Sequence, residues 1–195
     1  MVNNQIKVSI HHNGKSFNKG LKLIEAFKKI NHIDFKLEIR LDMAEKDLGY
    51  FNYILDENIL YINPIRCINN KHHELSGHIT DCSIFATICH EFSHYLDLRY
   101  DLMTEYYQKK ITLKKLIMTK YAKTNIVEEL ADIVSIYLIN PYYLKLIDLE
   151  RYKWLKTKFK SPVPCGPNTF LKYYTHWPEQ KKQLFCKTYN TTVKE

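Results

Sequence analysis

Residues 83–98 read SIFATICHEFSHYLDL, and the spacing of their apolar side chains predicts one amphipathic helix. At 100° per residue the apolar side chains gather into one stripe. The stripe consists of Phe85, Ile88, Cys89, Phe92 and Leu96. His90 and His94 lie four residues apart on roughly the opposite side. Cys89 therefore belongs to the predicted core and is not a candidate nucleophile.

The two histidines bracket an HExxH motif at residues 90–94. On a helix, this spacing places His90 and His94 on one face, where they can bind one zinc ion together. Glu91 is then placed to take a proton from a water molecule that the metal activates. The alternative is a solvated helix face with two surface histidines. A pair of core histidines is disfavoured because the pair avoids the apolar stripe.

A catalytic zinc ion needs a third protein ligand, and residues 125–138, NIVEELADIVSIYL, offer candidates. Their spacing predicts a helix over 126–139 with a buried side formed by Val127, Leu130, Ile133, Val134 and Tyr137. Glu128 and Asp132 lie one turn apart on the other side. They suit a zinc ligand and an acceptor for the ring N–H of a zinc-bound histidine. Glu128 as a helix-capping residue is the alternative, and Glu129, about 100° away, is a second candidate ligand.

Upstream of the HExxH motif the pattern predicts a small sheet. Residues 33–41 alternate strictly between apolar and charged side chains, which indicates a half-buried strand. A further strand over 6–11 and a helix over 17–30 precede it. Residues 50–55 and 59–63 flank turn residues and predict a β-hairpin. The strand over 59–63, just before the HExxH helix, is a candidate edge on which an extended substrate pairs.

Downstream the pattern is helical, with predicted helices over 103–119 and 142–159 and a proline-rich linker over 161–167. The pair Asn140-Pro141 ends the helix that starts at residue 126. The fold class is therefore α+β: a small twisted N-terminal sheet with the HExxH helix, followed by a helical lobe. A length of 195 residues fits a single domain, with an N-terminal lobe over about 1–98 and a C-terminal lobe over about 99–195.

Composition excludes several classes of protein. Five cysteines without a CxxC pair argue against a disulfide framework and a zinc ribbon. We expect a cytoplasmic protein, since neither a signal peptide nor a membrane span is visible; signal-independent export stays open. The net charge is +8, but the lysine pairs are dispersed, which favours solvated helix faces over a nucleic-acid groove. We expect surface positions for the histidines at 11–12, 72–73 and 78, and packing roles for the tyrosine pairs.

Two segments resemble the anthrax lethal factor / Pro-Pro endopeptidase family of zinc peptidases. They are HEFSHYLD at residues 90–97 and YAKTNIVEELA at residues 121–131, followed by Asp132. Ser93 stands where that family usually has glycine, and Asp132 where it has glutamate. The resemblance implies a zincin-like fold and a gluzincin-type site, with one catalytic Zn²⁺ ion bound by His90, His94 and Glu128. It selects Glu128 over Glu129, assigns Glu91 as the general base, and implies that Tyr121 donates a hydrogen bond to the oxyanion.

The function that this resemblance implies is a zinc-dependent endopeptidase, a hydrolase of peptide bonds in protein substrates. A looser similarity to the ImmA/IrrE-type peptidases rests on Glu128, Ala131, Asp132 and residues 138–141. The alternative is a zincin-like binding module for DNA or a partner protein, with weak or no proteolysis. Beyond the metal ion, we expect no cofactor.

Overall fold

The computed structural model describes residues 14–42, 47–51, 58–64, 67, 84–108, 122 and 124–194. Two predicted features, the strand over 6–11 and the histidines at 11–12, 72–73 and 78, lie outside these residues. Tyr121 lies outside them too. Within them the chain forms eight helices and a three-stranded sheet, so the predicted α+β class is confirmed.

The first helix, α1, spans Gly14–Asn31 and confirms the helix predicted over 17–30. Its buried face contains Gly20, Leu23, Ile24 and Phe27. Gly20 lies directly against the next long helix, since a Cβ atom at this position would be 2.8 Å from Cδ1 of Ile88. The absence of a side chain therefore lets α1 pack closely on the helix that carries the HExxH motif.

The sheet consists of β1 (Glu38–Leu41), β2 (Gly49–Phe51) and β3 (Ile59–Ile62), in the order β1-β3-β2. The strands β1 and β3 are parallel, whereas β2 is antiparallel to β3 with Tyr50 opposite Tyr61, as the predicted hairpin requires. The prediction that residues 59–63 form an edge is wrong, because β3 pairs on both sides. β1 is also shorter than the predicted strand over 33–41.

Two helices follow the sheet, α2 (Ile84–Tyr100) and α3 (Leu102–Gln108). Phe51, Leu60 and Ile62 of the sheet are buried in the same core as α2. At the corner between the two helices Asp101 has a positive φ of 50°. The carboxylate of Asp97 accepts a hydrogen bond from the backbone N–H of Met103 at 2.7 Å, which ties the start of α3 to α2.

The helix α4 spans Ile126–Ile139, as predicted, and ends at Asn140. The predicted helix over 142–159 is wrong, because the chain forms α5 (Pro141–Ile147) and α6 (Leu149–Lys158) there. Asp148 has non-helical backbone angles, φ −150° and ψ 86°, and its side chain caps α6 by accepting from the backbone N–H of Arg151. A capping aspartate in an apolar repeat therefore divides the segment.

The last helices are α7 (Pro167–Tyr174) and α8 (Glu179–Tyr189). Together with α5 they enclose an aromatic cluster. In it the ring of Tyr143 stacks on that of Phe170, with the ring centroids 5.8 Å apart. Trp177 and Phe185 also contact Phe170. The tyrosine pairs thus pack helices, as predicted. Among the described residues, none of the helices is both long and apolar enough to cross a membrane.

Candidate metal centre

The HExxH residues lie in the middle of α2, which is buried continuously from Ile88 to Leu96. The predicted apolar stripe is buried, but His90, Glu91 and His94 are buried as well. The alternative of a solvated face is therefore wrong. The histidine side of α2 is covered by α4, and side chains of the two helices meet across this interface.

The first turn of α4 contributes Glu128 to this interface. Asn125 caps the helix, and its side-chain oxygen accepts from the backbone N–H of Glu128 at 3.0 Å. Glu128 thus takes part in the cap through its backbone, while its carboxylate reaches the histidines. The predicted buried side of α4 holds for Leu130, Ile133, Val134 and Tyr137 but not for Val127, which is 36% exposed.

The side chains of His90, His94 and Glu128 form a triad that can hold a metal ion, with candidate ligand atoms all within 4.8 Å of one another. Oε2 of Glu128 is 2.9 Å from Nε2 of His90 and 3.4 Å from Nε2 of His94. The two imidazole rings are nearly perpendicular, at 83°, with their centroids 4.9 Å apart. Two ring nitrogens and one carboxylate oxygen thus lie together between α2 and α4.

The distances from Glu128 to the two histidines are near those between ligands of a tetrahedral zinc ion. With bonds of about 2.0–2.1 Å, two ligands of such an ion are roughly 3.3 Å apart, close to the 2.9 and 3.4 Å between Glu128 and the two histidines. The donor set of imidazole nitrogen and carboxylate oxygen suits zinc. Three protein ligands leave a fourth position for water, which is the pattern of catalytic rather than structural zinc sites.

His90 lies between two carboxylates. Its Nδ1 is 2.9 Å from Oδ1 of Asp132, one turn beyond Glu128 on α4, so Asp132 lies where the sequence places the acceptor for a ring N–H. With its proton on Nδ1, the ring can bind a cation through Nε2, the atom that contacts Glu128 in the metal-free protein. Burial disfavours the charged ring, but hydrogen bonds to Asp132 and Glu128 outweigh it and raise the pKa of His90 well above its ordinary value.

The two glutamates of the site have pKa values displaced in opposite directions. Burial acts to raise the pKa of Glu128, but its hydrogen bonds with His90 and His94 prevail and lower the pKa to about 2. Burial raises the pKa of Glu91, and the nearby histidines offset this only in part. Glu128 is consequently a stable anion, as a ligand must be, while Glu91 binds a proton more readily than an exposed glutamate.

Glu129, the second candidate ligand, points away from the histidines. Its Oε1 accepts a hydrogen bond from Nη2 of Arg151 on α6 at 3.0 Å. Arg151 is only 1% exposed and also contacts Asp148 and Tyr106. Sequence reasoning missed this arginine, although Asp148 three residues earlier was a signal for an ion pair within one helix.

Sequence reasoning also missed Gly49, which lies at the start of β2 against the HExxH helix. A Cβ atom there would be 2.8 Å from Cγ2 of Thr87 and 3.1 Å from Cγ of Glu91. The strand backbone therefore forms one wall around the Glu91 side chain. A glycine before a short strand is too common to signal such a contact from sequence alone.

Comparisons of this chain with protein-family models, with curated proteins and with solved structures find no match.

Proposed function

We propose that this protein is a zinc-dependent endopeptidase with a zincin-like arrangement, in which His90, His94 and Glu128 bind one catalytic Zn²⁺ ion. The observation that carries the proposal is the convergence of two imidazole nitrogens and a carboxylate oxygen beside Glu91. A bound zinc ion supplies Lewis acidity and lowers the pKa of a water molecule to about 7. The similarity to the lethal factor / Pro-Pro endopeptidase motifs supports the same assignment.

Glu91 serves as the general base. It takes a proton from the attacking water and later returns it to the amine that leaves when the peptide bond breaks. Its burial supports this role, because a carboxylate with a raised pKa is a better proton acceptor and, once protonated, a usable acid.

Asp132 and Tyr121 complete the proposed site in different ways. Asp132 holds the ring of His90 in one orientation by accepting a hydrogen bond from the N–H at Nδ1. The family motif assigns Tyr121 a hydrogen bond to the oxyanion of the tetrahedral intermediate, an interaction whose loss costs about 3 kcal/mol in comparable sites.

An extended peptide substrate would pair with β2 rather than with β3. In the described sheet β2 is the end strand next to α2, and its Gly49 lies against Glu91. Main-chain pairing along such a strand holds a peptide straight and presents one carbonyl group to the metal centre.

The test combines metal analysis with a peptide-library cleavage assay. Wild-type protein should contain about one zinc ion per chain and cleave peptides at internal bonds. Glu91→Ala should retain the zinc and lose activity by about 10²–10⁴-fold, the usual contribution of a general base. Glu25→Ala, a change at an exposed glutamate on α1, serves as the control and should behave as wild type.

Two outcomes would contradict the proposal. Retained cleavage by Glu91→Ala would remove Glu91 from the mechanism. Zinc binding by the wild type without cleavage of any library peptide would favour the alternative of a binding module, which a DNA-affinity measurement at several salt concentrations would then examine.

A further inference from the structure

Arg151 of α6 is a buried cation that the proposed reaction does not use. Its guanidinium donates three hydrogen bonds: Nε to the hydroxyl of Tyr106 at 2.8 Å, Nη1 to Asp148 at 2.7 Å and Nη2 to Glu129 at 3.0 Å. These partners lie on α3, at the cap of α6 and in the first turn of α4. One side chain thus connects three helices.

Apolar packing contributes little to the first turn of α4. Val127 is exposed and Ile126 half-buried, whereas the helix is buried from Leu130 to its end. Besides the contacts of Glu128 with the two histidines, two further polar contacts hold the turn. They are the Asn125 cap on the N–H of Glu128 and the ion pair of Glu129 with Arg151.

The same arginine is connected to the histidine side of the site. Tyr106, which accepts from Nε, belongs to α3. The start of α3 is in turn bound to α2 through Asp97, three residues after His94, which accepts from the N–H of Met103. A continuous series of contacts therefore runs from the helix that carries both histidines, through Arg151, to the turn that carries Glu128.

We propose that Arg151 is a positioning residue for the metal centre, which holds Glu129 against α6 and thereby keeps Glu128 turned toward His90 and His94. The inference rests on the proposed zinc site. Neighbouring residues of a helix point about 100° apart, so a rotation of the first turn that brings Glu129 to the histidines must remove Glu128. In a rotated state Glu128 no longer faces the histidines, and the chain cannot bind zinc with all three ligands. The apparent zinc affinity is therefore reduced in proportion to the fraction of chains in rotated states.

The experiment compares two glutamates that each pair with a cation of α6. Glu129 pairs with Arg151 and Glu105 of α3 with Lys158, and their side chains are similarly exposed, 18% and 24%. Zinc alone is titrated against a chromophoric chelator. Glu129→Ala should weaken zinc binding by about tenfold or more, the usual effect of removing a residue that orients a ligand. Glu105→Ala should leave the Kd within about twofold.

The conservative variant Glu129→Gln separates positioning from general stability. Its amide oxygen still accepts from Arg151, so it should recover most of the affinity that Glu129→Ala loses. If Glu129 contributes to stability alone, then Glu129→Ala and Glu105→Ala should have equal zinc Kd values when they lower the free energy of unfolding equally. That result would overturn the inference.

A measurement on the metal-free protein distinguishes this inference from the proposed function. Backbone amide exchange at residues 129 and 130 should be at least about tenfold faster in Glu129→Ala than in Glu105→Ala, because the first turn opens more often. If the wild type did not bind zinc, the proposed function would be wrong, but the amide exchange of the two variants could still be compared. Equal exchange in the two variants would overturn the positioning role.

Discussion

The two helices that meet at the candidate metal centre hold its proposed ligands by different physical means. His90 and His94 lie in the middle of α2, in a segment buried on every side. Glu128 lies in the first, partly exposed turn of α4, which a cap and an ion pair hold in place. Core packing thus fixes one side of the site, and a few hydrogen bonds fix the other. Substitutions on the two sides should therefore lower the free energy of unfolding by different amounts.

The largest effect is expected from His90→Ala. The variant should bind no zinc, and the free energy of unfolding of the metal-free protein should fall by about 3 kcal/mol, because two carboxylates lose the group between them. Glu128→Ala should also lose zinc but cost less, since Asp132 still contacts His90 and water can reach the partly exposed position of Glu128. Urea unfolding of both metal-free variants measures the difference. Equal costs would show that the two sides are not held differently.

The second-largest effect is expected from a change in packing next to α2. Gly49→Ala places a methyl group 2.8 Å from both the carbonyl oxygen of Tyr61 and Cγ2 of Thr87, so β2 must shift away from α2. We expect a loss of about 1–3 kcal/mol in stability and a lower catalytic rate at unchanged zinc content. Gly166→Ala is the matched control, because nothing lies within 4 Å of its added Cβ atom. A similar stability for the two variants would contradict the close approach of β2.

A smaller effect is expected at the cap of α4. Asn125→Ala should lower stability by about 1 kcal/mol through loss of the hydrogen bond to the N–H of Glu128. Since that bond holds the ligand-bearing turn, zinc affinity should also fall by a few-fold. Asn125→Ser can still cap the helix and should restore both quantities. If Asn125→Ala changes stability alone, the cap does not position the ligand.

The smallest effect concerns pH. In the metal-free protein burial raises the folded-state pKa of Glu91 above its ordinary value of 4.5, so the folded state retains this proton longer than the unfolded state does. Stability from this group is therefore present below pH 4.5 and is lost as pH rises through the folded-state pKa. Glu91→Gln cannot ionise and should be more stable than wild type at pH 7 but not at pH 4. Urea unfolding midpoints of the variant and the wild type at the two pH values test this. An equal difference between the two proteins at both pH values would contradict it.

Much of the site could be predicted because its determinants are local. The i, i+4 spacing of His90 and His94, and of Glu128 and Asp132, places each pair on one helix face wherever the helices lie. The apolar periodicity also predicted α4 with the bounds that the structure has. Helix periodicity alone did not predict the break at Asp148, because capping by its side chain competes with continuing the helix and leaves the apolar spacing unchanged.

Features that depend on residues distant in the chain could not be predicted in the same way. Val127 is exposed although it matches the apolar repeat, because the first turn of α4 projects beyond the packed part of the helix. The position of β3 between β1 and β2 depends on strand order, and a strand's own alternation of residues is the same at an edge and in the centre.

By itself, the sequence determined the α+β class, the HExxH helix and the two candidate glutamates, since each follows from local spacing or composition. Only the tertiary structure decided which of Glu128 and Glu129 lies beside the histidines. Both lie in one turn with the same chemistry, and the choice depends on which side of α4 faces the histidines and which faces Arg151. Helix periodicity sets the angle between two neighbouring side chains, whereas the packing of α2, α4 and α6 sets what each of them meets.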